Sequence, residues 1–309
     1  MTIHDAPDAT PDPADAARLE DDLFELYDEY CHGPMSRRAF LDRAKAIGAA
    51  LGLAGLAGCK AVAMLPDYTK AEQVSFTDER IKATWVDYPS PGGNAETIRG
   101  YLVTPTSEGP YGAVLVVHEN RGLNPYIKDV ARRAAAAGFL TLAPDALSAV
   151  GGYPGNDEDG KALQRTLDRD RITVDMLNGA RFLLGHEACN GKLGVTGFCF
   201  GGGVSNALAV EMGEDLQAAA PFYGRQADLE RVGDIRAELV IHYAEDDRGV
   251  NAGKEAYDAA LAAAGVEARS HVYVGTRHGF HNDSTPRYDA EAAELAWQRT
   301  LDLFGRRLG

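Results

Sequence analysis

The sequence predicts an α/β fold in a single catalytic domain, a mostly parallel sheet with helices on both faces. Three observations carry this expectation. From about residue 80 onward, short β-rich runs alternate with longer helical patterns. Several of these runs, Ala113-Val114-Leu115-Val116-Val117 among them, are apolar at every position, which implies a strand buried on both faces. The 309 residues, 45% hydrophobic and 25% charged, suffice for one large core and would crowd two.

Taken in order, the strands fall at 84–88, 99–104, 113–118, 139–143, 192–196, 239–243 and 271–274, with helices at 126–137, 161–184, 202–211, 252–264 and 290–304. The stretch Gly151-Gly152-Tyr153-Pro154-Gly155-Asn156-Asp157 is rich in turn formers and lies between a strand and a helix, a position where loops cover active sites. No internal repeat is present. The formal charge of −15, with a pI near 4.9, disfavours nucleic acid and anionic membranes as partners, because both repel a net-negative surface. Cys31, Cys59, Cys189 and Cys199 lack the close paired spacing that holds zinc or an iron–sulfur cluster, and with the histidines and acids assigned to the catalytic roles given below no clustered ligand spacing remains, so neither metal nor organic cofactor is expected.

The first sixty residues read differently. Residues 1–35 are acidic and rich in Ala and Pro, and are expected to form a disordered or weakly helical leader. In 36–59, Ser36-Arg37-Arg38-Ala39-Phe40-Leu41 resembles a twin-arginine export signal, followed by a small-apolar run and by Leu56-Ala57-Gly58-Cys59, which resembles a lipoprotein cleavage box. On this reading Cys59 carries a lipid, the only link to a membrane, and the catalytic domain at 65–309 is periplasmic or at the cell surface. Asp42, Arg43 and Lys45 shorten the apolar run. The competing reading is a cytoplasmic protein with an amphipathic helix packed on the domain and Cys59 buried.

The chemistry begins at Gly194-Val195-Thr196-Gly197-Phe198-Cys199-Phe200-Gly201-Gly202-Gly203. A strand enters this run and a helix leaves it, the context of a nucleophile elbow in the α/β-hydrolase fold, here G-x-C-x-G with cysteine as nucleophile. Glycines flanking a sharp turn let the backbone pass without collision, and the turn lifts the Cys199 side chain above the sheet. The Phe200 N–H and the start of the following helix then favour negative charge on an attacked carbonyl.

In such folds the acid and the histidine follow the nucleophile in chain order, each after a strand. Asp247, in Ala244-Glu245-Asp246-Asp247, is the acid, with Asp246 and Glu245 as competitors. His278, in Arg277-His278-Gly279-Phe280-His281, is the base, with His281 as the alternative. After the apolar strand at 113–118 comes His118-Glu119-Asn120-Arg121-Gly122-Leu123-Asn124, where the Asn120 N–H is the second oxyanion donor and Glu119 an acid with a functional role.

At these residues the chain resembles the dienelactone hydrolase (carboxymethylenebutenolidase) family over roughly residues 65–306, and within it the branch with a twin-arginine leader. The strings that carry the resemblance are His118 to Asn124, Gly151 to Asn156 and Pro221-Phe222-Tyr223-Gly224-Arg225. It implies a triad of Cys199, Asp247 and His278, with Glu119 holding the resting cysteine. The implied substrate is a small ester or lactone, cleaved through a thioester. Family members acting on chlorocatechol-derived lactones carry an arginine shortly after the histidine, where this chain reads Gly279-Phe280-His281-Asn282. Arg121 and Arg225 are the candidate replacements, and Tyr153, Tyr223 and His281 the further candidate substrate contacts. Thioester hydrolysis or acyl transfer, and a surface-anchored binding role with little turnover, are the competing functions.

Overall fold

A computed structural model describes residues 12–70 and 72–309. The chain divides into two compact units, Met1–Pro66 and Asp67–Gly309.

The first unit holds three helices, α1 (Pro13–His32), α2 (Arg37–Ala50) and α3 (Ala54–Ala63). Asp12 caps α1 by accepting the Ala14 N–H at 2.9 Å, with Pro13 in the first turn where its missing N–H costs nothing. Residues 13–32, expected to be disordered or weakly helical, form a 20-residue helix. The reason is an apolar stripe that bulk composition hides: Leu19, Leu23, Leu26, Tyr27 and Tyr30 recur at helical spacing and are buried. Tyr30 stacks on Phe40 of α2 with ring centroids 4.9 Å apart. Arg37 and Arg38 open α2 and are exposed, as is Cys59 on α3, so the burial of Cys59 in the competing reading does not hold. No helix among the described residues is long and apolar enough to cross a membrane.

The second unit is an α/β-hydrolase fold around one eight-stranded sheet: β1 (Ile81–Pro89), β2 (Thr97–Pro105), β3 (Tyr111–Val117), β4 (Leu140–Pro144), β5 (Cys189–Phe198), β6 (Ala218–Phe222), β7 (Glu238–Asp246) and β8 (Ala268–Arg277). The spatial order is β1-β2-β4-β3-β5-β6-β7-β8. The β1–β2 and β2–β4 pairs are antiparallel, and every pair from β4 to β8 is parallel. The helices are α4 (Pro125–Ala136), α5 (Asp157–Gln164), α6 (Arg169–Leu184), α7 (Phe200–Met212), α8 (Arg248–Asn251), α9 (Lys254–Ala263) and α10 (Ala290–Leu308).

Alternation along β3 accounts for its continuous apolarity. Leu115 faces a layer with Ile172 and Met176 of α6, Leu208 of α7 and Tyr257 of α9, while Val114 and Val116 face one with Ile127 and Val130 of α4 and Phe304 of α10. Two elements depart from the sequence reading. β6 escaped it because Ala-Ala-Ala-Pro-Phe lacks β-branched residues, yet it is wholly buried and pairs with Gly194–Phe198 of β5. The helix expected at 161–184 is two, because the Asp168 carboxylate caps a new start by accepting the N–H groups of Asp170 and Arg171. With β3, β5, β6, β7 and β8 parallel, their C-terminal ends gather at one edge, where open α/β sheets bind ligands.

Candidate active site

Cys199 lies between the last residue of β5 and the first of α7, with φ +56° and ψ −112°, a conformation non-glycine residues avoid. Its surroundings impose that geometry. A Cβ at Gly197 would lie 2.2 Å from the Gly201 carbonyl oxygen, and one at Gly201 would lie 2.3 Å from that of Val117. The obstacles are backbone and cannot yield, so G-x-C-x-G is a packing requirement. The Cys199 N–H donates to Phe222 O at 3.1 Å, and its carbonyl accepts from Gly203 N–H at 3.1 Å, which starts α7. The Phe200 N–H therefore belongs to the first helical turn, whose donors have no acceptor within the helix. The thiol is half-buried and forms no disulfide.

Asp247 caps α8. Its Oδ1 accepts the Val250 N–H at 3.2 Å, which aims Oδ2 at His278 Nδ1, 2.6 Å away. The adjoining acids are engaged elsewhere: Glu245 accepts the Gly275 N–H at 2.8 Å, and Asp246 pairs with Arg277 at 3.2 Å. Cys199 Sγ and a ring nitrogen of His278 lie within 4.8 Å of each other. Burial pushes the imidazole down, but the charge of Cys199 and the hydrogen bond to Asp247 outweigh it and bring the value up to about 9. The Tyr223 ring lies 5.0 Å from that of His278, and Tyr223 itself has φ +35°.

Glu119 follows β3 and is 3% exposed, its Oε2 accepting from Asn282 Nδ2 at 3.0 Å. Burial raises its pKa, Arg121 opposes the rise and Cys199 adds to it, so the carboxyl shares the environment of the thiol. Tyr223 stands in the same environment: burial first, then the charges of Glu119 and Cys199, hold its phenol far above the ordinary value. Asn120 is half-buried on the turn beyond Glu119.

The remaining candidates are placed unevenly. Arg121 is buried against Asp157 at 2.9 Å, and Tyr153 donates to the same carboxylate at 2.9 Å, so this cation is already neutralised. Arg225 is exposed. His281, a candidate base and substrate contact, is instead a core residue: it is 1% exposed, bonded to the Tyr126 hydroxyl at 2.7 Å and packed on Phe198 and Phe222. Burial holds it well below the ordinary histidine value. Sequence reasoning missed Asn282, the partner of Glu119, and Arg287. Arg287 is buried against Gly279, whose Cβ position lies 3.2 Å from its Nη2, and its charge acts on Glu119 and Tyr223. Its place in a loop after the histidine was the only signal.

An eight-stranded sheet, a strained residue at the strand-to-helix turn after β5 and an acid–histidine pair just beyond β7 and β8 define an α/β-hydrolase. The chain belongs to the dienelactone hydrolase family, whose sequence profile matches residues 98–308. A second profile, described as YqhI-like, matches residues 13–50. The "Putative hydrolase fragment YghX" of Escherichia coli (strain K12) is 61% identical over 104 residues, 33% of this chain and 88% of that protein. A "Putative carboxymethylenebutenolidase" of Yersinia pestis is 31% identical over 231 residues, 70% of this chain and 85% of that one. Among solved structures, a "Putative Dienelactone Hydrolase" from Klebsiella pneumoniae superposes with a TM-score of 0.63 at 26% identity, covering 72% of this chain and 99% of that one. The protein is thus a carboxymethylenebutenolidase-like hydrolase, of the class that cleaves carboxylic esters and lactones.

Proposed function

We propose that the protein hydrolyses a small carboxylic ester or lactone through a thioester on Cys199. The observation that carries the reading is the Asp247–His278 bond of 2.6 Å beside a thiol held on a strained turn. His278 takes the thiol proton and the sulfur attacks the carbonyl carbon, placing negative charge on the carbonyl oxygen. The N–H groups of Phe200 and Asn120 receive that charge. Collapse expels the alcohol or enol oxygen, which takes the proton from His278. Water, deprotonated by the same imidazole, then attacks the thioester and releases the acid and the thiol. Asp247 keeps the proton on Nδ1 and stabilises the imidazolium. Glu119 holds the resting cysteine. A thiolate leaves more readily than an alkoxide, which favours activated esters such as enol lactones over amides.

Intact-protein mass after brief exposure to p-nitrophenyl acetate tests this. An acetyl adduct with nitrophenol release in wild type, both missing in Cys199→Ala, supports it; equal behaviour of the two proteins sinks it. Added alcohols or thiols that capture the acetyl group would make acyl transfer the better description.

Export is a separate proposal, supported by the arginine pair at Arg37 and Arg38 and by the exposure of Cys59. Mass spectrometry of the mature protein decides it: a lipidated Cys59 at the N-terminus is the expected result, and a chain retaining α1 overturns it.

A further inference from the structure

We propose that His118 is a positioning residue that locks the Glu119–Asn120 peptide with its N–H turned toward Cys199. This rests on the reading above, in which the Asn120 N–H receives the oxyanion. His118 directly follows β3 and is wholly buried, and both its ring nitrogens are bonded. Nε2 lies 3.2 Å from the Ala146 nitrogen, and Nδ1 lies 2.6 Å from the Glu119 carbonyl oxygen. A backbone N–H only donates, so Nε2 accepts. The ring proton then resides on Nδ1, where it donates to Glu119 O. Burial, which outweighs the charge of Asp145, favours this neutral ring.

The consequence follows from the geometry of a peptide bond. The C=O and N–H of one trans peptide point in opposite directions, so the residue that fixes the Glu119 carbonyl also aims the Asn120 N–H. Ala146 lies just beyond β4, which flanks β3 on one side, whereas β5, which delivers Cys199, flanks it on the other. A carbonyl drawn toward the β4 side therefore sends the N–H toward the β5 side. The turn after β3 and the start of α7 are in close approach, since a Cβ at Gly201 would lie 2.6 Å from the His118 carbonyl oxygen. A flipped peptide would present the Glu119 oxygen where negative charge develops, exchanging attraction for repulsion.

The test compares two reactions of Cys199. Acylation by p-nitrophenyl acetate, followed as the nitrophenol burst, passes through an oxyanion; alkylation by iodoacetamide does not. His118→Asn keeps an amide donor near the position of Nδ1, whereas His118→Gln moves the amide toward that of Nε2 and leaves Glu119 O without its donor. The burst of His118→Gln is expected to slow by about 10–100-fold, part of the loss on removing one oxyanion donor. Alkylation stays at the wild-type rate, and His118→Asn recovers most of the burst. A His118→Gln burst equal to wild type overturns this inference alone. So does an equal fall in burst and alkylation that His118→Asn does not repair, because that is the mark of a merely structural role. A wild type with no burst overturns the hydrolase reading and this inference with it.

Discussion

His278 couples the chemistry of the site to its stability. Its value of about 9 in the folded chain exceeds the ordinary 6.5, so the folded state binds the proton more tightly. That contribution is complete below about pH 6.5 and fades as pH rises through about 9. Thermal melts of wild type should therefore show falling Tm across this window, and the decline should be shallower in Cys199→Ala, which removes the largest group raising the value. Asp247→Asn should lower turnover by about 10⁴-fold, because an amide no longer selects the productive tautomer. Asp246→Asn should stay near wild type, since Asp246 is paired with Arg277. Steady-state kinetics on p-nitrophenyl acetate check both, and a larger loss in Asp246→Asn would reassign the acid.

At the scale of elements, two junctions hold the site in place. The elbow is one: Gly197→Ala sets a methyl against the Gly201 carbonyl, 2.2 Å away, and should lower Tm and abolish the nitrophenol burst together. The other is Asp129 on α4, fully buried. It accepts the N–H groups of Gln73 and Val74 at 3.1 and 2.9 Å and pairs with Arg132 and Arg133 at 3.1 and 2.5 Å. Asp129→Ala leaves two buried guanidiniums without this carboxylate and should cost about 3–5 kcal/mol, readable by urea unfolding. This carboxylate ties the chain entering β1 to the helix that follows the Glu119 turn. Its loss should therefore slow turnover as well.

For the whole molecule the formal charge of −15 sets the approach of substrate. A carboxylate-bearing lactone is repelled at long range, so its kcat/KM should rise as salt screens that field, while a neutral ester should show a flat profile. Salt titration of kcat/KM for one substrate of each kind checks this. The inverse pattern, falling kcat/KM for the anion, would indicate that the Arg287 charge near the site governs encounter instead.

Features set by neighbours in the chain were legible without coordinates. The apolar β3 run and the G-x-C-x-G turn are local patterns, because backbone sterics and two-faced burial act over a few residues, whereas Asp247 and His278 were picked out by the chain order that the α/β-hydrolase fold imposes. Helix α1 was underestimated and strand β6 missed where a local pattern was diluted, by acidic residues in one and by alanine in the other. Tertiary structure alone decided the pairings. It drew Arg121 to Asp157, joined Asn282 to Glu119 across 163 positions, buried His281 among Phe198 and Phe222, and set Arg287 against Gly279. Hydrogen bonds and charge pairs form between groups a few ångströms apart in space, and sequence spacing does not encode that distance once the chain has folded back across the sheet.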